Sequence, residues 1–181
     1  MRPVAPCSCC GELVRGPFDR RRFIQLAASA GLAATLPIRS WAAEGDYEAM
    51  LVSCIDPRMV TPVYNYMDKR GLSGKYSQFV IAGAAIAVVA PKFEAWRPAF
   101  WDNLATSVEL HHLKGVIAID HRDCGAARIA YGDDSIANPQ IETKTHREVL
   151  AEFRGRVAEH HPQLNIETGL MALDGSIEMF T

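Results

Sequence analysis

A chain of 181 residues can bury the core of one domain and has room for little more. Its 49% hydrophobic and 22% charged side chains are ordinary for a soluble globular protein, and a formal net charge of −2 lacks the excess of basic residues that nucleic-acid-binding chains carry.

The first 42 residues have the organisation of an export signal. A basic cluster containing Arg20 and Arg21 runs into a moderately apolar stretch at residues 26–36, which is shorter than the roughly 20 residues that span a bilayer. A small-x-small triplet then ends at Ala42, where we expect cleavage. The segment resembles a twin-arginine signal, which implies a periplasmic bacterial protein. The alternative is an amphipathic surface helix that stays on the protein.

Cleavage after Ala42 would leave residues 43–181 as an acidic domain. It removes six of the 19 Lys and Arg but two of the 21 Asp and Glu, so the net charge becomes −6. Such a domain lacks the basic face that nucleic acid or an anionic membrane requires, and we therefore expect a small-molecule substrate.

Cleavage also divides the five cysteines into two groups. Three lie in the predicted signal, where they cannot serve the mature protein: Cys7, Cys9 and Cys10. Cys54 and Cys124 remain, and in an oxidising compartment one disulfide between them is an alternative to a metal site.

The mature segment alternates apolar runs with helical patterns. Strands are predicted at residues 49–54, 78–82 and 116–119, with a further pair within 164–181. Helices are predicted to begin at Pro57, Pro98, Gly125 and Thr145, the last through a Thr145-x-x-Glu148 capping box, whereas residues 84–90 fit either state. This order predicts a single-domain α/β fold, with a mostly parallel sheet covered by helices on both faces.

Two polar loops each follow a predicted buried strand. One contains Cys54, and the other contains His121 and Cys124. Because ligand sites in open α/β sheets form at the carboxyl ends of the strands, we expect these loops to meet at one edge. Two thiolates and an imidazole are a normal zinc ligand set that leaves a fourth position open. A disulfide or simple burial are the alternatives.

The two motifs together resemble the signature of β-class carbonic anhydrases. They are Cys-x-Asp-x-Arg at residues 54–58 and His-x-x-Cys-Gly-Ala at residues 121–126, and the resemblance extends to residues 104–109, 115–119 and 169–177. It implies the β-carbonic anhydrase fold, a homodimer or higher homo-oligomer, and reversible hydration of CO2 to bicarbonate.

The same resemblance implies roles for individual residues. Zinc would be held by Cys54, His121 and Cys124, and Asp56 with Arg58 would form a catalytic pair. Asp56 would either accept a hydrogen bond from zinc-bound hydroxide or itself become the fourth metal ligand.

The sequence departs from this family in two segments near the predicted site. Residues 80–84 are Val-Ile-Ala-Gly-Ala where the family carries polar side chains, and Asp120 and Arg122 flank His121 where small residues are usual. We expect these charges to alter access or substrate. Two alternatives therefore stand beside CO2 hydration: hydrolysis of a CO2-like molecule such as carbonyl sulfide, and a non-catalytic binding protein stabilised by zinc.

Overall fold

The computed structural model describes residues 45–181, which form one five-stranded sheet with helices around it. The predicted signal peptide lies outside these residues. The strand order is β2-β1-β3-β4-β5; the first four strands are mutually parallel and β5 runs antiparallel to β4. The strands are β1 (Ala49–Ser53), β2 (Tyr76–Val80), β3 (Gly115–His121), β4 (Asn165–Met171) and β5 (Ile177–Phe180).

Five α-helices connect the strands, with short 3-10 turns between some of them. The helices are α1 (Val60–Lys69), α2 (Ala85–Val89), α3 (Arg97–His111), α4 (Gly125–Tyr131) and α5 (Pro139–His160), and the 3-10 turns are Pro57–Met59, Pro91–Trp96 and Asp133–Ile136. The ambiguous segment 84–90 is therefore helical over α2. In the part of the chain that is described, no helix is both long and apolar enough to cross a membrane.

The core forms two layers because successive side chains of a strand point to opposite faces of the sheet. Met50 and Val52 of β1 pack in the larger cluster, with residues of α2, α3 and α5. Leu51 packs on the other face, in a smaller cluster with Val63 and Met67 of α1. Helices thus cover both faces of a mostly parallel sheet, which confirms the predicted fold class.

The predicted start of the last helix is wrong. The side chain of Asn138 caps α5 by accepting from the backbone N–H groups of Gln140 at 3.0 Å and Ile141 at 2.9 Å, and Pro139 fills the first helical turn. Thr145 instead lies inside the helix, where its hydroxyl bonds back to the carbonyl of Ile141 at 3.1 Å. The helix begins at Asn138-Pro139 because the Asn138 side chain accepts from two backbone N–H groups that have no partner within the helix. Pro139 has no backbone N–H of its own and therefore leaves no donor unpaired in the first turn.

The sheet topology places both predicted loops at one edge. Parallel pairing sets Ser53 of β1 opposite Ile119 of β3, so the two central strands end side by side. Cys54 follows the first strand, and His121 ends the second.

Candidate metal centre

The structure brings together the three predicted metal ligands. Within the described residues, Cys54, His121 and Cys124 form a group whose ligand atoms all lie within 4.8 Å of one another. His121 and Cys124 are each only 1% exposed, and Cys54 is partly buried. No disulfide joins the two cysteines. This group could bind a metal ion.

The hydrogen bonding of His121 fits a metal ligand. Its Nδ1 lies 2.8 Å from the carbonyl oxygen of Arg122. Because a carbonyl can only accept, Nδ1 carries a hydrogen, and in the neutral imidazole Nε2 then presents a lone pair. Nε2 is buried and has no hydrogen-bond partner among residues 45–181. Such an orphaned atom is costly unless something binds it, and a cation among two sulfurs would do so.

The two candidate cysteine ligands differ in pKa. Contact with Cys124 most strongly, together with His121 and the backbone N–H of Gly83, lowers the pKa of Cys54 to about 4 against the opposing effect of burial. The same contact raises the pKa of Cys124. Burial disfavours a charged His121, but the neighbouring Cys54 sulfur favours it, and the pKa of His121 is raised. The surroundings therefore favour the thiolate form of Cys54, the form in which cysteine binds metals.

Asp56 lies beside this group, held by Arg58. The carboxylate accepts from the guanidinium through Nε, at 3.0 Å to Oδ1, and through Nη2, at 2.7 Å to Oδ2; Oδ1 also accepts from the Arg58 backbone N–H at 2.9 Å. These bonds lower the pKa of Asp56 to about 2. Its Oδ2 is 4.0 Å from Nε2 of His121, so an ionised carboxylate faces the candidate ligands.

Comparison with known proteins identifies relatives. An uncharacterized protein of Rickettsia conorii is 33% identical over 129 residues, which cover 71% of this chain and 69% of that protein. An uncharacterized protein of Rickettsia bellii is also 33% identical over 129 residues, covering 71% of this chain and 79% of the relative. The chain belongs to the family of these rickettsial proteins. No protein-family model matches it.

Solved structures that resemble this chain identify its fold. The carbonic anhydrase of Streptococcus mutans superposes with a TM-score of 0.50 at 15% identity, covering 89% of this chain and 96% of that one. The β-carbonic anhydrase CcaA superposes with a TM-score of 0.55 at 11% identity, covering 88% and 82%. The fold is therefore that of the β-carbonic anhydrases.

Sequence reasoning missed Asp123, which ties the two loops together. Its carboxylate accepts from Nη1 of Arg58 at 2.7 Å, and its carbonyl accepts from Nη2 at 3.1 Å. Its φ is +57°, a value that Asp tolerates better than most side chains. Arg58 is thus a bridge between Asp56 on one loop and Asp123 on the other. An acidic residue inside His-x-x-Cys was the available signal.

Arg122, which follows His121, makes its hydrogen bonds to α5. The guanidinium turns to α5, where Nη1 lies 3.1 Å from Glu142 and Nη2 lies 2.8 Å from the hydroxyl of Thr143. Glu142 also accepts from the backbone N–H of Asp123 at 2.5 Å. Arg122 therefore anchors the His-x-x-Cys turn to α5, which reaches these residues because it begins at Pro139.

The other flanking charge, Asp120, is also directed inward. It is 1% exposed and bonds to His146 of α5, which is fully buried. No motif pairs His146 with Asp120, because 26 residues separate the two.

Proposed function

We propose that this chain is a zinc-dependent carbonic anhydrase that interconverts CO2 and bicarbonate. One observation carries the proposal: three mutually close ligand atoms from Cys54, His121 and Cys124 lie beside an ionised Asp56 that is fixed by Arg58. A structural zinc site would need the three ligands but not the Asp56–Arg58 pair. The β-carbonic anhydrase fold supports the same assignment but does not establish the activity at 11–15% identity.

Each residue of the group has a chemical task. Zinc, when bound, supplies a Lewis acid that lowers the pKa of a coordinated water to about 7. Cys54, Cys124 and His121 would hold it, and His121 would do so through Nε2 because Nδ1 is committed to the Arg122 carbonyl.

Asp56 orients the oxygen nucleophile that attacks CO2, by accepting a hydrogen bond from it. With its pKa at about 2, it accepts hydrogen bonds at neutral pH and does not donate them. It therefore favours a species that presents a hydrogen to it and leaves a lone pair free for the carbon of CO2. Arg58, in turn held by Asp123, keeps the carboxylate aimed.

Asp56 also has the chemistry of a fourth metal ligand. To bind the metal, the carboxylate would have to give up its hydrogen bonds to Nε and Nη2 of Arg58. The carboxylate–guanidinium pair supports the orienting role over the ligand role.

Hydrolysis of carbonyl sulfide is the second candidate. The segment beside Cys54 is Ala82-Gly83-Ala84, and Gly83 contacts the Cys54 sulfur through its backbone. Methyl groups and backbone supply no polar side chain to distinguish oxygen from sulfur in a linear triatomic substrate. This favours a site that accepts either molecule.

Stopped-flow CO2 hydration by protein of known zinc content tests the proposal, with a carbonyl sulfide assay in parallel. Asp56→Asn and Arg58→Ala should each lower turnover by about 100-fold or more while zinc is retained, since the ligands are untouched. Asp133→Asn is the matched control, because it breaks a different exposed Asp–Arg pair, with Arg128. Zinc-loaded wild type that turns over neither substrate would identify a zinc-stabilised binding protein instead.

We further propose that residues 1–42 direct export to the periplasm through a twin-arginine-type signal. The basic pair, the apolar stretch and the small-x-small triplet support it. We also propose a homo-oligomer. On α1 the apolar side chains of Val60 and Tyr64, one helical turn apart, are 67% and 54% exposed, and self-association would cover them.

A further inference from the structure

A buried carboxylate–imidazole pair adjoins the metal centre, although neither member is a candidate ligand. Asp120 immediately precedes His121 in β3, and its Oδ2 lies 2.8 Å from Nδ1 of His146. Asp120 is 1% exposed and His146 is fully buried. A carboxylate so far from water requires polar partners for its oxygens. His146 supplies one of them, and since a carboxylate accepts, Nδ1 donates.

His146 has no second contact of this kind. Its Nε2 is buried and has no hydrogen-bond partner among residues 45–181. The imidazole therefore directs its one clear hydrogen bond at Asp120. Its contribution lies in fixing that carboxylate.

The other oxygen of Asp120 fixes a strained turn. Oδ1 accepts from the backbone N–H of Ala85 at 3.0 Å, in a buried position. Ala85 follows Gly83, at φ +83°, and Ala84, at φ +48° and ψ −112°. An alanine at positive φ persists only where its surroundings enforce the conformation. The bond from Ala85 to Asp120 is a buried restraint of that kind.

The turn at residues 83–85 also contacts the candidate metal ligand Cys54. The backbone N–H of Gly83 donates to the sulfur of Cys54 at 3.2 Å. The direction of that N–H depends on the backbone of residues 83–85, which Asp120 holds. Hydrogen bonds from His146 to Asp120, from Ala85 to Asp120 and from Gly83 to Cys54, joined by the backbone of residues 83–85, therefore connect His146 with the sulfur of Cys54.

We propose that Asp120 and His146 are positioning residues for the metal centre: His146 orients Asp120, and Asp120 holds the turn that aims the Gly83 N–H at the Cys54 sulfur. This inference rests on the metal-binding part of the proposed function and is independent of the substrate. Hydrogen bonds to coordinating atoms tune both metal affinity and the electron density on the ligand. Loss of Asp120 should therefore be detectable in the metal–sulfur bond itself.

Cobalt(II) substitution of the full-length protein provides a spectroscopic test, together with zinc affinity measured by chelator competition. Asp120→Ala removes both hydrogen bonds, so the sulfur-to-cobalt charge-transfer band should move to longer wavelength and zinc should bind about 10–100-fold more weakly. Asp120→Asn retains an oxygen for Ala85 and should restore most of both properties. His146→Leu should shift the band in the same direction as Asp120→Ala, and His146→Asn, which places an amide N–H near the position of Nδ1, should reverse the shift.

Thr168→Ala is the control for a general loss of stability. Thr168 is fully buried in β4 and donates to the carbonyl of Phe180 at 3.1 Å, away from the turn. Its loss should leave the cobalt band in place. The inference is overturned if folded Asp120→Ala keeps the wild-type band and zinc affinity, or if Thr168→Ala matches its changes. Failure of all the Asp120 and His146 variants to fold would also overturn it, by showing that the pair serves the fold. Wild type without a sulfur-to-cobalt band would overturn the metal site and this inference together.

Discussion

Replacing Gly83 with alanine should damage both the fold and the metal centre. Gly83 has a φ of +83°, and a Cβ at this position would lie 2.7 Å from Cβ of Ala126 and 3.2 Å from Cβ of Ile86. Neither neighbour can rotate away, because a β-carbon is fixed to its backbone. The added methyl group can therefore be accommodated only by separating α2 from α4 or by changing the turn.

The size of the effect follows from two contributions. Holding an alanine at left-handed φ costs roughly 1–2 kcal/mol. Forcing a methyl group into a well-packed region typically costs about 1–3 kcal/mol. Together they lower the free energy of unfolding by about 2–5 kcal/mol, a large share of the roughly 5–15 kcal/mol that a domain possesses. Zinc content should fall as well, because the same residue donates to the Cys54 sulfur.

Urea unfolding followed by circular dichroism measures the first effect, and metal analysis of the purified protein measures the second. Gly125→Ala is the matched control, because Gly125 follows the candidate ligand Cys124, begins α4 and has nothing within 4 Å of an added Cβ. Its unfolding free energy should be unchanged or slightly higher, since alanine is favoured in helices. A Gly83→Ala protein destabilised by less than about 1 kcal/mol, or no more than Gly125→Ala, would refute the reasoning.

Three further outcomes are expected. Cys124→Ser should lose most of the zinc that wild type carries, at close to one ion per chain, and full occupancy in that variant would reject the site. Arg58→Ala should raise the pKa of Asp56 from about 2 towards its ordinary value of 3.8, as measured by carboxyl NMR. In wild type, the stabilisation that ionised Asp56 provides is complete above pH 3.8 and is lost as the pH falls through about 2. Replacing Arg20 and Arg21 together by Lys should leave a reporter fusion in the cytoplasm, and undiminished export would contradict the twin-arginine interpretation.

The sequence could predict those parts of the fold that depend on local pattern. Buried strands such as β3 are short runs of apolar residues, and the two motifs follow such runs directly, so the meeting of Cys54 with His121 could be anticipated from parallel topology. The start of α5 could not be read reliably, because Thr145-x-x-Glu148 and Asn138-Pro139 are both local start signals. Only the folded chain shows which one caps the helix.

The contacts that complete the site could not be predicted, because they join distant segments. Arg58 and Asp123 are 65 residues apart, and Asp120 and His146 are 26 apart. A lone histidine in a helix gives no indication of its partner. The helical conformation of residues 84–90 could not be predicted for the same reason, because an apolar run of seven residues fits either a strand or a helix. The buried hydrogen bond between Ala85 and the distant Asp120 helps to fix where α2 begins.

The pairing of β1 with β3 has a consequence for how faithfully the chain folds. Ser53 is aligned with Ile119, and a slip of one residue would turn every side chain of β1 to the opposite face and carry the Cys54 sulfur away from His121. A cation held by all three ligands would bind the native alignment and reject the shifted ones. At a free concentration one hundred times its dissociation constant, such an ion stabilises the native alignment by about 2.7 kcal/mol. Metal binding would then favour the native register of β1 over shifted registers, whatever reaction the centre performs.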